Sequence, residues 1–405
     1  FTWLVPLNDA AFRLNLFSAL CAALAVAFVY AIVRYLAAAR SAAFLAAVTF
    51  AVGRTFWAQA VVAEVYAFQM LLVALMLWLA LRYAHHPTPR ALYALAFVMG
   101  LGLAHHRLMV LLYPVIALYI FLVHRALLRD RKTLARAILF LLAPLTLYLY
   151  LPLRGAVGSA DGTYQNTLAG FIEWVTASKY FAFITENPFD VVRDAAFYQT
   201  LFQDQFTLAG LALAALGIVG LWRRPREGVL ILGALALQLA FVFNYRTADV
   251  EVHFLTTFLL GALLLGAGTD ALFSIADGRL PLLRLLATLL LCLIPIYLLD
   301  ANYAVNDLSR QWEVYDYGVE VLAQPFENDA TVIGILGEMT LLRYFQEAYG
   351  LRPDVPTIAA DKESARLAAI ANALQQNRAV YLTRALAGAP EKYSLSSVGP
   401  LIRVQ

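Results

Sequence analysis

Long apolar stretches recur along the first three quarters of the chain, and short charged or proline-containing breaks separate them. A helix needs roughly 20 mostly apolar residues to cross a hydrocarbon core about 30 Å thick. The pattern therefore predicts an all-α polytopic membrane bundle of about ten transmembrane helices. The expected segments are residues 15–35, 41–62, 66–83, 91–104, 107–123, 135–152, 206–222, 229–244, 254–269 and 281–299. The predicted segments 91–104 and 107–123, which meet at His105–His106, form either two full crossings or a re-entrant bend.

From residue 300 the pattern changes to short apolar runs between charged stretches of helical periodicity. Segments 330–336 and 378–383 are predicted to be strands, and segments 338–349 and 361–376 are predicted to be helices. This alternation indicates a small C-terminal α/β domain in which the two strands pair in parallel. The expected domains are residues 1–299 in the membrane and residues 300–405 in the small domain.

The longest predicted loop, residues 153–205, combines aromatic and polar residues. That combination is typical of short amphipathic helices lying at the membrane interface. The aromatic residues are read either as an interfacial belt or as part of a substrate-binding surface.

Composition agrees with the membrane assignment. The chain has 405 residues, 62% of them hydrophobic and 14% charged, whereas a soluble domain is about a quarter charged. The net charge of +3 gives no reason to expect a nucleic-acid partner. Cys21 and Cys292 both fall in apolar helices, so we expect no structural disulfide.

The distribution of basic residues sets the predicted orientation. Loops 36–40, 84–90, 124–134, 223–228 and 270–280, with the adjoining helix ends, carry 14 Lys and Arg residues, against 7 on the opposite side of the membrane part. By the positive-inside rule these loops are cytoplasmic. Arg279 belongs to this cytoplasmic set. The chain is therefore expected to be a multi-pass cell-membrane protein with an extracytoplasmic C-terminal domain. Because this orientation puts residue 1 outside, the natural protein is expected to have a further helix before it, which starts from a cytoplasmic N-terminus.

Ionisable groups near helix ends on one side of a membrane are candidate functional residues, because burying them in lipid is costly. The first such group lies in residues 54–68. If that stretch is helical, Trp57 and Glu64 share a face, with Tyr66 close by. Glu64 is then a candidate base, metal ligand or partner of Arg54; the alternative is a solvated acid at a helix junction.

A second group consists of His105, His106 and Arg107, between two apolar segments. These residue types bind phosphate or help to hold a metal, although the spacing matches no metal motif. The alternative is a simple polar turn.

A third group, in residues 244–254, contains Arg246, Asp249, Glu251 and His253. Near the start of the chain, Asp9 is read as the N-terminal cap of the first helix. The sequence contains no phosphate-binding loop, nucleophile elbow or dinucleotide fingerprint.

Five segments in chain order resemble one known family. They are RLNLFSAL, FWAQAVVAEVYAF, GLGLAHH with a downstream YP, YRTADVEVHF and YFQEAYGLRPDV. This order is similar to that of the polytopic membrane family long known as a domain of unknown function. The family includes a vertebrate transmembrane O-mannosyltransferase and belongs with the GT-C glycosyltransferases. Its members carry an acidic segment in the first outer loop, and the chain resembles the family only downstream of that segment.

The resemblance implies an enzyme that moves a mannose-like sugar from a polyprenyl-phosphate donor to an acceptor protein or glycan at the outer membrane face. It makes Glu64 and Asp249 the catalytic candidates, and a divalent cation a candidate cofactor. The substrate-binding candidates are Trp57, Tyr66, His105, His106, Arg107, Arg246 and His253. The alternative is a non-catalytic membrane scaffold or accessory subunit that keeps the GT-C fold.

Overall fold

The computed structural model describes residues 4–37, 39–158, 164–276 and 281–405. Arg279 and parts of the predicted loops 36–40, 153–205 and 270–280 lie outside these ranges. The described chain forms two compact units, one made of residues 1–156 and 166–307 and the other of residues 157–165 and 308–405.

The first unit is helical. Its α-helices are α1 (Ala10–Leu36), α2 (Arg40–Ala51), α3 (Arg54–Ala60), α4 (Val65–His85), α5 (Pro89–His105), α6 (Tyr113–Val123), α7 (Arg131–Leu142), α8 (Tyr150–Gly155), α9 (Leu168–Thr176), α10 (Ala182–Thr185), α11 (Ala195–Gly220), α12 (Pro225–Val242), α13 (Val250–His253), α14 (Leu255–Ala276), α15 (Pro281–Leu291) and α16 (Leu293–Asn306). Short 3₁₀ helices lie at Arg107–Leu112, Arg125–Arg129, Ala143–Leu149, Ser178–Phe181 and Leu221–Arg223. The side chain of Asp9 accepts a hydrogen bond from the backbone N–H of Phe12 at 2.7 Å, which confirms its predicted capping role.

All ten predicted segments fall on helices, but fewer are long enough to cross a membrane. Among the described residues, seven helical stretches have the required length and apolar character, and the bent pair α2–α3 makes an eighth if it is one span. The count is lower than ten because α5 has only 17 residues and α6 only 11. The predicted polytopic membrane bundle with a small C-terminal sheet domain is confirmed, and the chain is an integral membrane protein. The seven stretches are Ala10–Leu36, Val65–His85, Arg131–Gly155, Ala195–Arg223, Pro225–Val242, Leu255–Ser274 and Leu282–Asn306.

Helix α14 lies in the centre of this unit and packs against α1, α2 and α11. It crosses α11 where Gly217 faces Gly268. A Cβ atom built on Gly268 would lie 1.8 Å from the carbonyl oxygen of Leu213, so only glycine permits this backbone contact. Small residues at such crossings are the usual means of close helix packing in membranes, where the hydrophobic effect does not drive helices together.

Two helices are interrupted within the bundle. The chain bends by 68° between α2 and α3, so the predicted helix 41–62 is not continuous. Helix α11 contains Thr207 at φ 60° and ψ 168°, where the Thr207 hydroxyl accepts a hydrogen bond from Gly210 N–H and starts a new helical segment. The break faces a cavity of about 690 Å³, a setting in which non-helical backbone is tolerated at membrane depth.

Helix α11 also begins earlier than predicted. Asp194 caps it by accepting a hydrogen bond from Phe197 N–H at 2.8 Å. The predicted outer loop therefore ends at residue 194 rather than at 205. Its short helices α9 and α10 agree with the expected loop architecture.

A set of paired polar residues connects the two interruptions; we call Arg54, Asp204, Gln205, Asn302 and Asn306 the polar junction. Arg54 forms an ion pair with Asp204 at 2.8 Å, so of the three roles considered for Glu64, the structure does not support that of partner to Arg54. The Gln205 side-chain oxygen accepts hydrogen bonds from the backbone N–H groups of Arg54 and Thr55 at 3.1 and 2.6 Å.

The two asparagines of the polar junction bind backbone carbonyls. Asn302 donates to Val52 at 2.9 Å and to Asp204 at 3.2 Å. Asn306 donates to Arg54 at 3.4 Å. The carbonyl and amide groups freed by the helix breaks are thus satisfied by buried side chains.

The second unit contains α17 (Glu313–Leu322), β1 (Thr331–Gly334), α18 (Leu336–Tyr349), β2 (Thr357–Ala359), α19 (Glu363–Gln375), β3 (Val380–Leu382), β4 (Leu395–Val398) and β5 (Leu401–Val404). Its strands form one sheet in the order β2-β1-β3-β5-β4. Strands β1 and β3 pair in parallel, as predicted, whereas β5 runs antiparallel to β3 and β4. Helix α16 continues to Asn306, beyond the expected domain boundary at 299.

Candidate functional site

Tyr66 is the centre of a cluster of ionisable side chains at the start of α4. Its ring centroid lies 6.0 Å from the ring of His106 and 6.0 Å from the ring of His253. The carboxylates of Asp249 and Glu64 both lie within electrostatic range of its hydroxyl. The structure thus brings residues from three separate parts of the chain together. We call Glu64, Tyr66, His105, His106, Asp249 and His253 the Tyr66 site.

Glu64 lies at the N-terminal boundary of α4 but does not act as a cap. Helix α3 ends at Ala60, and Glu64 follows in extended geometry with an exposed side chain that makes no capping hydrogen bond. The predicted helical face shared by Trp57 and Glu64 is therefore wrong. The Trp57 ring instead lies 6.0 Å from the ring of Tyr303 on α16.

The two adjacent histidines lie at the end of α5. A ring nitrogen of His105 is hydrogen-bonded to the backbone carbonyl of Val65 at 2.9 Å, which ties α5 to the first turn of α4. His106 adopts an extended conformation between α5 and the following 3₁₀ helix. Burial, together with the nearby charges of His253, His105 and Arg107, lowers the pKa of His106 to about 3. Its imidazole is neutral at physiological pH.

Residues 245–253 form the other side of the site. Asp249 is exposed and accepts a hydrogen bond from the Thr247 hydroxyl at 2.6 Å. Burial lowers the pKa of His253 despite the opposing charge of Asp249. The His253 ring makes an edge contact with Tyr245, with ring centroids 4.9 Å apart.

Two arginines attach the outer loop to the site. Arg107 donates to the carbonyls of Trp174 and Val175 at 2.5 and 3.3 Å, at the end of α9. Arg193, from the outer loop, donates to the carbonyls of Tyr245 and Thr247. The Arg107 guanidinium therefore binds the backbone of the loop, whereas its predicted role was to bind substrate.

Arg246 is placed differently from Arg107. Its backbone N–H donates to the carbonyl of Phe183 at 2.7 Å, while its side chain is exposed. Of the two arginines predicted to bind substrate, Arg246 is the more exposed.

Three buried polar atoms near this site have no hydrogen-bond partner within the part of the chain that is described. They are Nδ1 of His106, Nδ1 of His253 and Oε1 of Gln59. Gln59 lies on α3, which packs against α13, the helix that carries His253. An unsatisfied buried polar atom costs about 1–3 kcal/mol. Gln59 and Arg193 were not among the predicted site residues: Gln59 is uncharged within the segment that contains Glu64, and Arg193 belongs to no motif.

Across the described residues, no group of three or more His, Cys, Asp or Glu side chains is arranged to hold a metal ion. A divalent cation therefore has no protein-only ligand set in these ranges, and we assign no metal ligand.

The chain resembles known proteins in sequence. Residues 1–128 match the family model described as the N-terminal domain of protein O-mannosyl-transferase TMEM260. The chain is 26% identical over 384 residues to the protein O-mannosyl-transferase TMEM260 of Mus musculus, in a match that covers 88% of this chain and 54% of that protein. It thus spans about half the length of that relative.

The fold resembles that of solved structures. One is ArnT from Cupriavidus metallidurans bound to undecaprenyl phosphate, with a TM-score of 0.64 and 13% identity over 97% of this chain and 83% of that one. The apo form of the same protein gives a TM-score of 0.63 and 12% identity over 96% and 82% of the two chains. The family resemblance that the motifs indicate is therefore confirmed: the first 128 residues match the TMEM260 N-terminal domain, within a chain that has an ArnT-like fold.

Proposed function

We propose that this chain is the membrane part of a glycosyltransferase that moves a mannose-like sugar from a polyprenyl-phosphate donor to an acceptor protein or glycan. The observation that carries the proposal is that two exposed carboxylates, Glu64 and Asp249, both lie within electrostatic range of Tyr66 at a helix boundary. The similarity to TMEM260 and the ArnT-like fold support the same reaction class.

The arrangement suits transfer to a hydroxyl group. In that reaction, the acceptor oxygen forms a bond to C1 of the sugar, and the bond between C1 and the phosphate oxygen breaks. A carboxylate takes the proton of the acceptor hydroxyl, and the bonding electrons leave with the phosphate. Glu64 or Asp249 acts as the base, and the accessible guanidinium of Arg246 neutralises the departing phosphate.

A polyprenyl-phosphate donor also suits the position of the site. The donor joins a polar sugar phosphate to an apolar chain, so its reacting atoms must lie where membrane-spanning helices end. Glu64 directly precedes the span Val65–His85, and His253 is two residues before the span Leu255–Ser274. ArnT, whose fold this chain shares, has been solved with undecaprenyl phosphate bound, which supports a lipid carrier of this class.

We place this site and the small C-terminal domain on the outer side of the membrane, because of the basic charge asymmetry of the loops. A cysteine introduced at Gly337, where an added side chain meets open space, tests this placement. It should react with a membrane-impermeant thiol reagent in intact cells, whereas a cysteine at exposed Arg224 should react only after lysis. The reverse pattern would contradict the assigned orientation.

The activity itself is tested with the full-length natural protein in lipid discs, given a polyprenyl-phosphate mannose with labelled sugar. We expect loss of label from the lipid and its appearance in an acceptor fraction. We also expect the double variant Glu64→Gln, Asp249→Asn to lose this activity. A well-folded protein that releases no sugar from any polyprenyl-phosphate donor would favour the non-catalytic scaffold.

A further inference from the structure

Three of the ten buried side-chain polar atoms that have no partner in the described residues belong to His106, His253 and Gln59, at or near the Tyr66 site. His106 and His253 each place a ring 6.0 Å from Tyr66, and each has an Nδ1 atom that is buried and unpartnered within the described residues. Gln59, on the neighbouring helix α3, adds a third such atom, Oε1. Buried polar groups are normally hydrogen-bonded, so a group of exceptions in one place indicates a ligand that satisfies them.

The chemistry of these atoms determines which part of a ligand fits. The amide oxygen of Gln59 can only accept a hydrogen bond, and a neutral imidazole donates from one nitrogen and accepts at the other. Phosphate oxygens without protons can only accept, so they cannot satisfy Gln59. Sugar hydroxyls both donate and accept, and a hexose presents several of them.

The charge state of the two imidazoles also favours sugar hydroxyls over phosphate as their ligand. Burial and neighbouring positive groups lower the pKa of His106, and burial lowers the pKa of His253. Neither imidazole therefore offers the positive charge with which a histidine usually binds phosphate. An exposed arginine, Arg246, lies three residues before Asp249 in the same segment and can supply that charge.

We propose that His106, His253 and Gln59 bind the hydroxyl groups of the donor sugar, whereas the donor phosphate is held separately at Arg246. This inference rests on the proposed glycosyltransferase function and divides its donor site into two parts. Tyr66, whose ring lies 6.0 Å from each of the two imidazole rings, provides the aromatic surface against which the sugar lies.

The test compares two ligands of equal chain length, polyprenyl phosphate and polyprenyl-phosphate mannose, binding to the full-length protein in lipid discs. The variants are His106→Phe and His253→Phe, which keep an aromatic ring and remove the nitrogens. Each should weaken binding of the mannosyl lipid about tenfold, the effect of one lost hydrogen bond, and leave binding of polyprenyl phosphate unchanged. Arg246→Gln should weaken binding of both lipids equally.

A matched control separates binding from folding. His124 is also a histidine in the helical unit, at the far end of α6, but its Nδ1 is hydrogen-bonded to the Tyr83 hydroxyl at 2.7 Å. His124→Phe should lower the thermal unfolding midpoint without changing the ratio of the two affinities. His106→Phe should leave the midpoint unchanged or raise it, because it removes an unsatisfied buried atom. If either site variant fails to fold, Gln59→Leu gives the same comparison.

Three results would overturn the inference. Equal weakening of both lipids by the histidine variants would assign the imidazoles to the phosphate. Unchanged affinity for the mannosyl lipid would make them structural. If the wild-type protein binds polyprenyl phosphate and polyprenyl-phosphate mannose with equal affinity, the sugar subsite is refuted and the lipid site stands. If it binds neither lipid, the proposed function is refuted as well.

Discussion

The polar junction and the Tyr66 site are both polar clusters between apolar helices, yet they differ in how their hydrogen bonds are satisfied. In the polar junction, buried Gln205, Asn302 and Asn306 each bind backbone groups exposed by a helix break. In the Tyr66 site, buried nitrogens of His106 and His253 have no partner among the described residues, and two carboxylates face outward.

We expect this difference to separate a structural role from a functional one. A polar group within a membrane bundle is costly unless it is paired, and pairing converts it into a specific contact between helices. An unpaired group makes the folded protein less stable and is useful only if something else binds to it. Substitutions in the two clusters should therefore affect different properties: stability in the polar junction, and binding or turnover in the Tyr66 site.

The largest expected effect is on turnover. Glu64→Gln keeps the shape of the side chain and removes its charge, so it should lower the transfer rate by about 10²–10⁴-fold, the usual contribution of a general base. The unfolding midpoint should not change, because Glu64 makes no capping bond. The measurement is labelled sugar released per folded molecule. Full activity would exclude Glu64 as the base and leave Asp249.

The next effect is on stability. Gln205→Leu leaves the backbone N–H groups of Arg54 and Thr55 and the Thr55 hydroxyl without their acceptor. We expect a loss of about 2–3 kcal/mol in the free energy of unfolding, measured by denaturant titration in detergent, with unchanged turnover in the molecules that remain folded. A stable variant with impaired turnover would instead make the polar junction part of the site.

A smaller effect depends on pH. The folded pKa of His106, about 3, lies below its ordinary value of 6.5. The unfolded chain therefore binds a proton first as pH falls. The contribution of neutral His106 to stability is full above pH 6.5 and is lost progressively toward pH 3. Between pH 6.5 and 5 the loss is at most about 2 kcal/mol.

His106→Phe should remove part of this acid sensitivity, as seen by comparing unfolding midpoints at pH 7.5 and 5. His253 retains a lowered pKa, so some sensitivity should remain. Identical pH dependence in the variant and the wild-type protein would show that His106 is hydrated enough to be protonated in the folded state.

The smallest effect concerns the ion pair of the polar junction. The side chains of Arg54 and Asp204 are 48% and 31% exposed, so their pairing is screened by solvent. Asp204→Asn should cost less than about 1 kcal/mol and leave turnover unchanged. Because Asp204→Asn makes the same carboxylate-to-amide change as Glu64→Gln, it serves as the matched control for that variant. Loss of activity in Asp204→Asn would mean that the comparison between the two clusters is wrong.

The sequence predicted the fold well where periodicity carries the information. All ten predicted apolar segments fall on helices, although only seven or eight of the described helical stretches have the length of a membrane span. The alternation of ATVIGIL with RAVYLT identified the parallel pair β1–β3. The breaks at Thr207 and at residues 52–53 were not predicted. A hydropathy pattern carries no information about a local backbone conformation that is stabilised by side chains distant in the sequence. The polar stretch before Thr207 was read as loop, although Asp194 caps a helix there.

For the candidate site, motifs identified Glu64, His106, Asp249 and His253, whose positions the structure brings together around Tyr66. The sequence could not show that Arg107 is directed to the loop, because that depends on where α9 ends. It also did not single out Gln59, because the absence of a hydrogen-bond partner for its buried Oε1 is visible only in the structure.

The outer loop is held by contacts to main-chain atoms. Arg107 and Arg193 donate to carbonyl oxygens, which every amino acid possesses. Replacing the side chains at positions 174, 175, 245 or 247 would leave these acceptors in place. Related chains can therefore vary these side chains while the loop keeps its attachments to the helical unit. Under the proposed function, loop segments are good candidates for exchange between homologues when acceptor preference is to be changed.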